Sequence, residues 1–229
     1  MQKKYFIIDF DSTFVKVEAL DELAGIALKK DPHRNVICTE IKRLTDAAMN
    51  GDITFPVSLA KRVALLKANK LHIVQLVKNL NKQVSTSILS NSAFFRKYSS
   101  KIIILSGGFK EYIIPVVKKF GIPPENVYAN TFTYDKKGNI TGFDKKNLLA
   151  SGGGKVKQLK ALNLKGELIA IGDGFTDYEL KRSGLMHKFY AFTENIERSQ
   201  VVKKADHVTP SFDEFLYISN LPMSISYPK

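Results

Sequence analysis

Two aspartates stand where the first apolar stretch of the chain ends. Residues 5–8 are apolar and rich in residues that favour strands, and Asp9-Phe10-Asp11 follows them directly. This pattern predicts a buried strand that ends in a polar loop. Residues two apart in extended chain point the same way, so we expect the carboxylates of Asp9 and Asp11 side by side. Such a pair is useful if a cation lies between the groups, or if one attacks a substrate while the other handles a proton.

Two further apolar stretches end in small or acidic residues. Residues 101–105 lead into Ser106-Gly107-Gly108, and residues 168–171 lead into Gly172-Asp173-Gly174. Ligands of an open parallel sheet bind beyond the carboxyl ends of its strands. The sequence therefore predicts one site built by three strands that are far apart along the chain.

Asp177 lies four residues after Asp173, so the two side chains face the same way if a helix begins after Gly174. Together with Asp9 and Asp11 they would place four carboxylates at the strand ends. An all-oxygen ligand set suits Mg²⁺ better than zinc. The four histidines are scattered singly, and a single histidine is more often a surface or core residue than a metal ligand.

An anion-binding side of the site is predicted by Ser106, which precedes two glycines, and by Lys155, which follows three. Glycine lets backbone approach an oxyanion closely, and lysine adds a positive point charge. The run that ends in Lys155 could equally be a flexible turn with an exposed lysine. An acidic metal side facing a Ser/Lys/Gly side nevertheless indicates phosphoryl-group chemistry.

The elements that position these residues form two groups. Helical periodicity dominates the chain between the first two strands, over residues 17–28, 35–49, 54–66, 71–80 and 87–98. Strands and helices alternate from residue 101 onward, with a hairpin of residues 127–134 and 139–143 and two short strands near 189–192 and 207–209. We therefore expect an α/β fold with a doubly wound, mostly parallel sheet, in which residues 1–16 and 96–229 form the core domain. Residues 17–95 are expected to form an inserted helical cap that closes over the strand ends and excludes water.

Composition is that of an ordinary soluble protein, with 229 residues, 44% hydrophobic and 25% charged. Lys and Arg total 35 against 22 Asp and Glu, a net charge of +13 that raises the question of nucleic acid. The lysines are spread along the chain, which favours a solvated basic surface that attracts small anions. Cys38 is interpreted as a packing residue, in keeping with a reducing compartment. No stretch has the length of a signal-peptide core or a membrane span, so we expect a cytoplasmic protein without a membrane partner.

Four segments resemble the motifs of the haloacid dehalogenase superfamily in its phosphatase branch. They are residues 9–13, residues 106–108, Lys155 and residues 172–177. Similarity continues through residues 17–24, 48–55 and 58–66, covers about residues 5–210, and is greatest to the members that act on O-phospho-L-serine. The resemblance implies a Rossmann-like core and a Mg²⁺-dependent phosphomonoester hydrolase with an aspartyl-phosphate intermediate, acting in the last step of serine biosynthesis.

The resemblance also implies a role for each acidic residue. Asp9 would be the nucleophile, while Asp11 would protonate the departing seryl oxygen and then activate the hydrolytic water. Mg²⁺ would be held by the Asp9 carboxylate, the backbone carbonyl of Asp11 and Asp173, with Asp177 fixing the metal shell.

The remaining implied roles concern the substrate. The phosphoryl oxygens would be held by Ser106, Gly107 and Lys155. Glu18 would bind the substrate ammonium and Arg62 its carboxylate, although each alone would be interpreted as a solvated charge. Met49 and Phe55 would form an apolar lid, although both also fit core positions of a helix. Thr176 stands where some relatives carry asparagine, and this change is expected to be tolerated if the side chain only bonds the phosphate or a neighbouring loop.

Other functions stay open at this point. The same mechanism fits a phosphatase of another small phosphoester, or a transferase that passes the phosphoryl group to an alcohol such as homoserine. A non-catalytic nucleic-acid-binding protein would use the positive charge but leaves the acidic pair unexplained. Because Asp9 stands so early in the sequence, feedback control through an N-terminal regulatory domain is not expected.

Overall fold

The chain alternates strands and helices around one large sheet in a computed structural model that describes residues 3–223. The strands are β1 (Lys4–Ile8), β2 (Ile102–Phe109), β3 (Val127–Asn130), β4 (Phe132–Tyr134), β5 (Ile140–Phe143), β6 (Glu167–Gly172), β7 (Lys188–Phe192) and β8 (His207–Thr209). The helices are α1 (Ala19–Ala27), α2 (Arg34–Asn50), α3 (Phe55–Leu65), α4 (Lys70–Leu80), α5 (Thr86–Ser90), α6 (Ser92–Lys97), α7 (Lys110–Val117), α8 (Gly154–Leu162), α9 (Phe175–Arg182), α10 (Ser199–Val202) and α11 (Phe212–Ile218).

Six parallel strands form the main sheet in the order β3-β2-β1-β6-β7-β8. The central strand β1 is buried because apolar residues cover both of its faces, Phe6 and Ile8 on one side and Ile7 on the other. Its register pairs Ile8 with Ile104 and Ile171, so that β1, β2 and β6 end close together. The predicted doubly wound, mostly parallel sheet is confirmed, and so are its last two short strands.

Helices α1 to α4 form an insertion that leaves and rejoins the core at one point. Val15 and Val84 pair as an isolated antiparallel bridge, and the Lys16 N–H donates to the Gln83 carbonyl at 2.8 Å. The two segments that connect the insertion to the core therefore lie side by side.

Helices α5 and α6 replace the single helix predicted over residues 87–98. The chain breaks at Asn91, and the two short helices pack on the core through aromatic rings. The ring of Phe94 lies 5.4 Å from that of Phe6, and the ring of Phe95 lies 4.9 Å from that of Phe212. This segment, which the sequence pattern assigns to the cap, thus contributes to the core.

The hairpin predicted over residues 127–134 and 139–143 is partly wrong. Its first strand is split: β3 joins the main sheet beside β2, and only β4 pairs with β5. Asn130 ends β3, and its side-chain amide donates to the Gly107 carbonyl at 2.8 Å, which ties this corner to β2. The hairpin also supports the insertion, since the Ile140 N–H donates to the Ala68 carbonyl at 2.9 Å.

Two other sequence features have plain outcomes. Cys38 is half-buried and packs against the apolar core, which confirms the packing interpretation.

Among residues 3–223, none of the helices combines the length and the apolar character that a membrane span needs. The end of the chain, where the sequence carries no clear pattern, lies outside the described residues from 224 onward.

Candidate active site

A cavity lies at the carboxyl ends of β1 and β2, beneath the inserted helices, with about 410 Å³ of empty space that includes its opening to solvent. Every predicted site residue except Asp173 and Asp177 lines this cavity. Its lining residues are Asp9, Asp11, Glu18, Leu20, Met49, Phe55, Arg62, Ser106, Gly107, Gly108, Lys155 and Thr176. The structure therefore brings together residues that are far apart in the sequence, as the strand ends predict.

The chain turns sharply after β1, and this turn separates the first two aspartates. Asp9 ends the strand, and its carboxylate accepts a 2.7 Å hydrogen bond from the Phe10 N–H. Ser12 lies in the left-handed region at φ 53°, a strained conformation for serine, and its hydroxyl donates to Glu18 at 2.7 Å. Asp11 Oδ1 accepts instead from the Ala19 N–H at 2.8 Å, at the start of α1. Both aspartates line the cavity, but their carboxylates have different partners.

Three buried carboxylates form a group in which one cation could bind. Ligand oxygens of Asp9, Asp173 and Asp177 all lie within 4.8 Å of one another. The Thr13 hydroxyl donates to Asp173 at 3.0 Å, and the Gly174 N–H donates to Asp177 at 3.1 Å, which fixes both side chains. The spacing argument predicted four carboxylates here, and among the described residues the group has three, because the turn directs Asp11 elsewhere.

Lys155 neutralises part of this group. Its Nζ lies 2.9 Å from Asp9 Oδ1 and 2.7 Å from Asp177 Oδ1. Burial by itself would lower the pKa of Lys155, but the two carboxylates raise it above its ordinary value. One ammonium cannot balance two buried anions, so burial and the charge of Asp9 still hold the pKa of Asp177 well above its usual range. The site is short of positive charge, which is what a divalent cation would supply.

Arg198 is a buried residue that sequence reasoning missed. Its Nε donates to Asp173 at 3.1 Å, and its terminal nitrogens lie 3.6 Å from Glu18 and 3.8 Å from Asp46. It therefore links a core carboxylate to the start of α1 and to α2 of the insertion. No local signal marks it, since it lies in a polar loop far from every motif. Thr13 was also missed as a site residue, although it lies inside the first motif.

The anion side of the cavity consists of Ser106, Gly107 and Lys155. The Ser106 side chain is almost fully buried, and its Oγ accepts from the Gly108 N–H at 2.9 Å. The ring of Phe55 covers Gly107 so closely that a Cβ there would lie 2.4 Å from Cζ of the ring. A side chain at residue 107 would therefore displace this ring, and Phe55 forms a wall of the cavity against the β2 backbone.

The insertion contributes a buried guanidinium to the cavity. Arg62 NH1 donates to the Thr45 hydroxyl at 3.1 Å, and this hydroxyl donates to Asp21 at 2.8 Å. The Nε atom of Arg62 is buried and has no hydrogen-bond partner among the described residues. The Arg62 guanidinium is fixed by Thr45 and keeps an N–H donor available, which suits it to bind a planar carboxylate of a ligand. Met49 lies on the same side, with its sulfur 3.0 Å from where a Cβ on Gly174 would be.

Electrostatics favour a proton on the second aspartate. Burial, followed by the negative charge of Glu18, holds the pKa of Asp11 well above its usual range. Burial and Asp21 likewise raise the pKa of Glu18. A carboxyl group whose pKa is raised holds its proton more tightly than an ordinary aspartate, and is suited to donate it to a leaving oxygen and afterwards to act as a base.

Comparison with known proteins identifies the family. The pattern of the haloacid dehalogenase-like hydrolases matches residues 6–182, which include the two aspartates after β1 and the Asp173 loop. The chain belongs to the haloacid dehalogenase-like hydrolase family. The superfamily resemblance of the four motifs is thereby confirmed.

Individual relatives of this hydrolase carry a common name. Phosphoserine phosphatase from Homo sapiens is 30% identical over 211 residues, which are 91% of this chain and 89% of that protein. The phosphoserine phosphatase of Methanocaldococcus jannaschii is 30% identical over 197 residues, 83% of this chain and 87% of that protein. A crystal structure of a phosphoserine phosphohydrolase-like protein from Francisella tularensis superposes with a TM-score of 0.84 at 33% identity, covering 94% of this chain and 99% of that one.

Stability of the metal-free hydrolase should depend on pH through Asp173. Burial, and then the charges of Glu18 and Asp9, raise its pKa from 3.8 to about 7. The unfolded chain ionises this group readily and the folded chain does not, so its ionisation destabilises the fold as pH rises from 3.8 to about 7. We expect the thermal midpoint in EDTA to fall between about pH 4 and about pH 7. Asp173→Asn should flatten this fall, and an unchanged slope in the variant would contradict the assignment.

Proposed function

We propose that this hydrolase is a Mg²⁺-dependent phosphatase that converts O-phospho-L-serine to L-serine and phosphate, the last step of serine biosynthesis. One observation carries the proposal: Glu18 and Arg62 face Asp9 within a single cavity. The cavity thus offers a carboxylate for an ammonium, a guanidinium for a carboxylate and a nucleophile for a phosphoryl group. The names of the relatives from human and archaeal sources support the same substrate.

In the first step, a carboxylate oxygen of Asp9 attacks phosphorus, and the bond from phosphorus to the seryl oxygen breaks. Asp11 gives its proton to this oxygen, which avoids the release of an alkoxide. Lys155 and the Ser106 hydroxyl bind the phosphoryl oxygens as charge shifts during transfer, with the backbone of Gly107 beside them. Thr176 lines the same cavity and adds a hydroxyl on this side. The products are L-serine and an aspartyl phosphate on Asp9.

The second step uses the same groups in reverse. Asp11, now ionised, takes a proton from a water molecule that attacks the aspartyl phosphate. The bond between phosphorus and the Asp9 oxygen breaks, so that the carboxylate is restored and phosphate is released. The raised pKa of Asp11 makes it a useful base in this step after it served as an acid in the first.

The buried acidic group fits a magnesium ion. Its donors are oxygen atoms, and its three carboxylates face two cationic side chains, those of Lys155 and Arg198, which leaves one negative charge unbalanced. Asp9, Asp173 and Asp177 would hold the ion, together with the backbone carbonyl of Asp11. When bound, Mg²⁺ supplies positive charge that neutralises the phosphoryl oxygens.

The insertion serves as the cap over this site in the proposal. We place it at residues 16–83, between the paired connecting segments at Val15 and Val84. This cap is shorter than residues 17–95, because Phe94 and Phe95 pack in the core. It excludes water through Met49 and Phe55, which line the cavity from above.

The alternatives are not favoured. The relatives found over most of the chain are named as phosphatases, and none of the described residues that line the cavity marks a separate site for an acceptor alcohol. A nucleic-acid-binding protein would not need the buried arrangement of Asp9, Lys155 and Asp177.

The direct test is phosphate release from O-phospho-L-serine with Mg²⁺, beside phosphothreonine, phosphoethanolamine and a nucleoside monophosphate, with EDTA as the control. We expect strong, EDTA-sensitive preference for phosphoserine. The selectivity depends on Arg62, so Arg62→Ala should lower kcat/KM for phosphoserine about 100-fold, since charge-assisted hydrogen bonds are lost, and spare an aryl phosphate without a carboxylate. Lys61→Ala, an exposed cation on the same helix, is the matched control. Equal losses on both esters would remove the substrate assignment.

A further inference from the structure

Tyr112 carries a buried hydroxyl that the mechanism above does not use. Its side chain is fully buried in the first turn of α7, and its ring packs 6.1 Å from that of Phe10 and 6.2 Å from that of Phe109. The hydroxyl oxygen has no hydrogen-bond partner among the described residues. A buried hydroxyl left unpaired is costly, so its position calls for an acceptor nearby.

The space beside Gly108 holds both this hydroxyl and a possible acceptor, a carboxylate oxygen of Asp11. A Cβ at this glycine would lie 2.6 Å from Tyr112 Oη, 2.9 Å from Asp11 Oδ2 and 3.2 Å from a methyl carbon of Ile113. The phenol and the carboxylate oxygen therefore share one small space that is open only because residue 108 has no side chain. The third neighbour is apolar and cannot accept a hydrogen bond.

The two oxygens of Asp11 have different surroundings. Oδ1 accepts from the Ala19 N–H at 2.8 Å, which leaves Oδ2 as the oxygen available to carry a proton. Burial, and then the charge of Asp11, hold the pKa of Tyr112 well above its ordinary value, so the phenol keeps its proton and stays a donor. Tyr112 is absent from the residues that line the cavity, so any effect on the reaction passes through Asp11.

We propose that Tyr112 is a positioning residue for Asp11. The Tyr112 hydroxyl donates a hydrogen bond to Asp11 Oδ2 when the Asp11 carboxylate becomes ionised. The inference rests on the proposed function, because Asp11 is ionised by giving its proton to the leaving oxygen. Tyr112 keeps its own proton throughout, so the proton transfers of the two steps are unchanged. It stabilises the buried anion that the first step creates and keeps Oδ2 directed at the site of proton transfer.

The test uses two esters that differ in their need for a proton. The serine part of phosphoserine would leave as an alkoxide unless its oxygen is protonated. The p-nitrophenolate of p-nitrophenyl phosphate leaves readily without a proton. Tyr112→Phe should lower kcat/KM for phosphoserine about tenfold, the usual scale for a hydrogen bond to a charged group, and change that for the aryl ester little. Tyr190→Phe is the matched control, since it removes a buried phenol that bonds Ser219 away from the site.

A second measurement separates positioning from a general loss of packing. In an Asp11→Asn background, Tyr112→Phe should have no further effect on phosphoserine, because the anion that it stabilises is absent. Thermal midpoints of all variants show that folded proteins are compared. Equal losses on both esters, no loss on either, or additive losses in the double variant would overturn the inference. Wild-type protein inactive on every ester would overturn the proposed function itself, and this inference with it.

Discussion

Replacement of Asp9 by asparagine is expected to lower phosphate release at least about 10⁴-fold, because an amide cannot form the acyl phosphate that a carboxylate forms. The substitution keeps the shape of the side chain. It removes one of three clustered carboxylates, so the fold should persist. The measurement is phosphate release with Mg²⁺, accompanied by circular dichroism and a thermal melt.

The covalent step gives this prediction a second readout. Acid-quenched wild-type enzyme should retain label from a ³²P-phosphorylated substrate, and the Asp9→Asn variant should retain none. Asp52→Asn, a change at an exposed position of the insertion, is the matched control and should behave as wild type. An Asp9→Asn enzyme that still turns over would defeat the aspartyl-phosphate mechanism.

Replacement of Lys155 by methionine should damage both activity and stability. The side chain is buried, and its ammonium is the partner of Asp9 and Asp177 at 2.9 and 2.7 Å. Its removal leaves buried carboxylates without that counter-charge, which costs on the order of 3–5 kcal/mol for a buried pair. The variant also lacks the positive charge that stabilises the phosphoryl oxygens during transfer, which should lower kcat about 10³-fold. Urea unfolding and steady-state kinetics measure the two effects.

Magnesium separates the two effects of this substitution. Bound Mg²⁺ would neutralise the buried carboxylates that have lost their lysine partner, so it should stabilise Lys155→Met more than the wild type, while activity stays low. Lys157→Met removes an exposed lysine of the same helix and serves as the control. Equal stabilisation of Lys155→Met and wild type by Mg²⁺ would contradict the shared role of Lys155 and the ion.

The strand ends made the site predictable from sequence. Asp9, Ser106 and Asp173 each follow an apolar stretch, and parallel strands bring such residues to one edge of the sheet. This physical rule depends only on the alternation of strands and helices. The fold class is confirmed, and Asp9 and Ser106 line the cavity while Asp173 lies in the buried carboxylate group beside Asp9. Glu18 and Arg62 came instead from the family resemblance, since their local surroundings fit an exposed charge equally well.

What the sequence missed depends on contacts between distant residues. Arg198 has no motif around it, and its importance arises only when the fold brings it 3.1 Å from Asp173. The segment from Thr86 has helical periodicity like the cap, but the rings of Phe94 and Phe95 find partners in the core. Asp11 was placed beside Asp9 on the assumption of extended chain, but the turn begins at Phe10, between the two aspartates.

The position of β1 at the centre of the sheet has a consequence for how the chain folds. Phe6 pairs with Ile102 and Tyr5 pairs with Leu168, so both neighbours of β1 are synthesised long after it. Contacts at such sequence separations form slowly, whereas α1 packs on α2 and α2 packs on α3, each pair being adjacent along the chain. During translation the apolar strand β1 has no partner until β2 emerges, and the sheet cannot close around it until β6 is made. We therefore expect the cap helices to form early, and the catalytic edge of the sheet to be among the last parts of the protein to assemble.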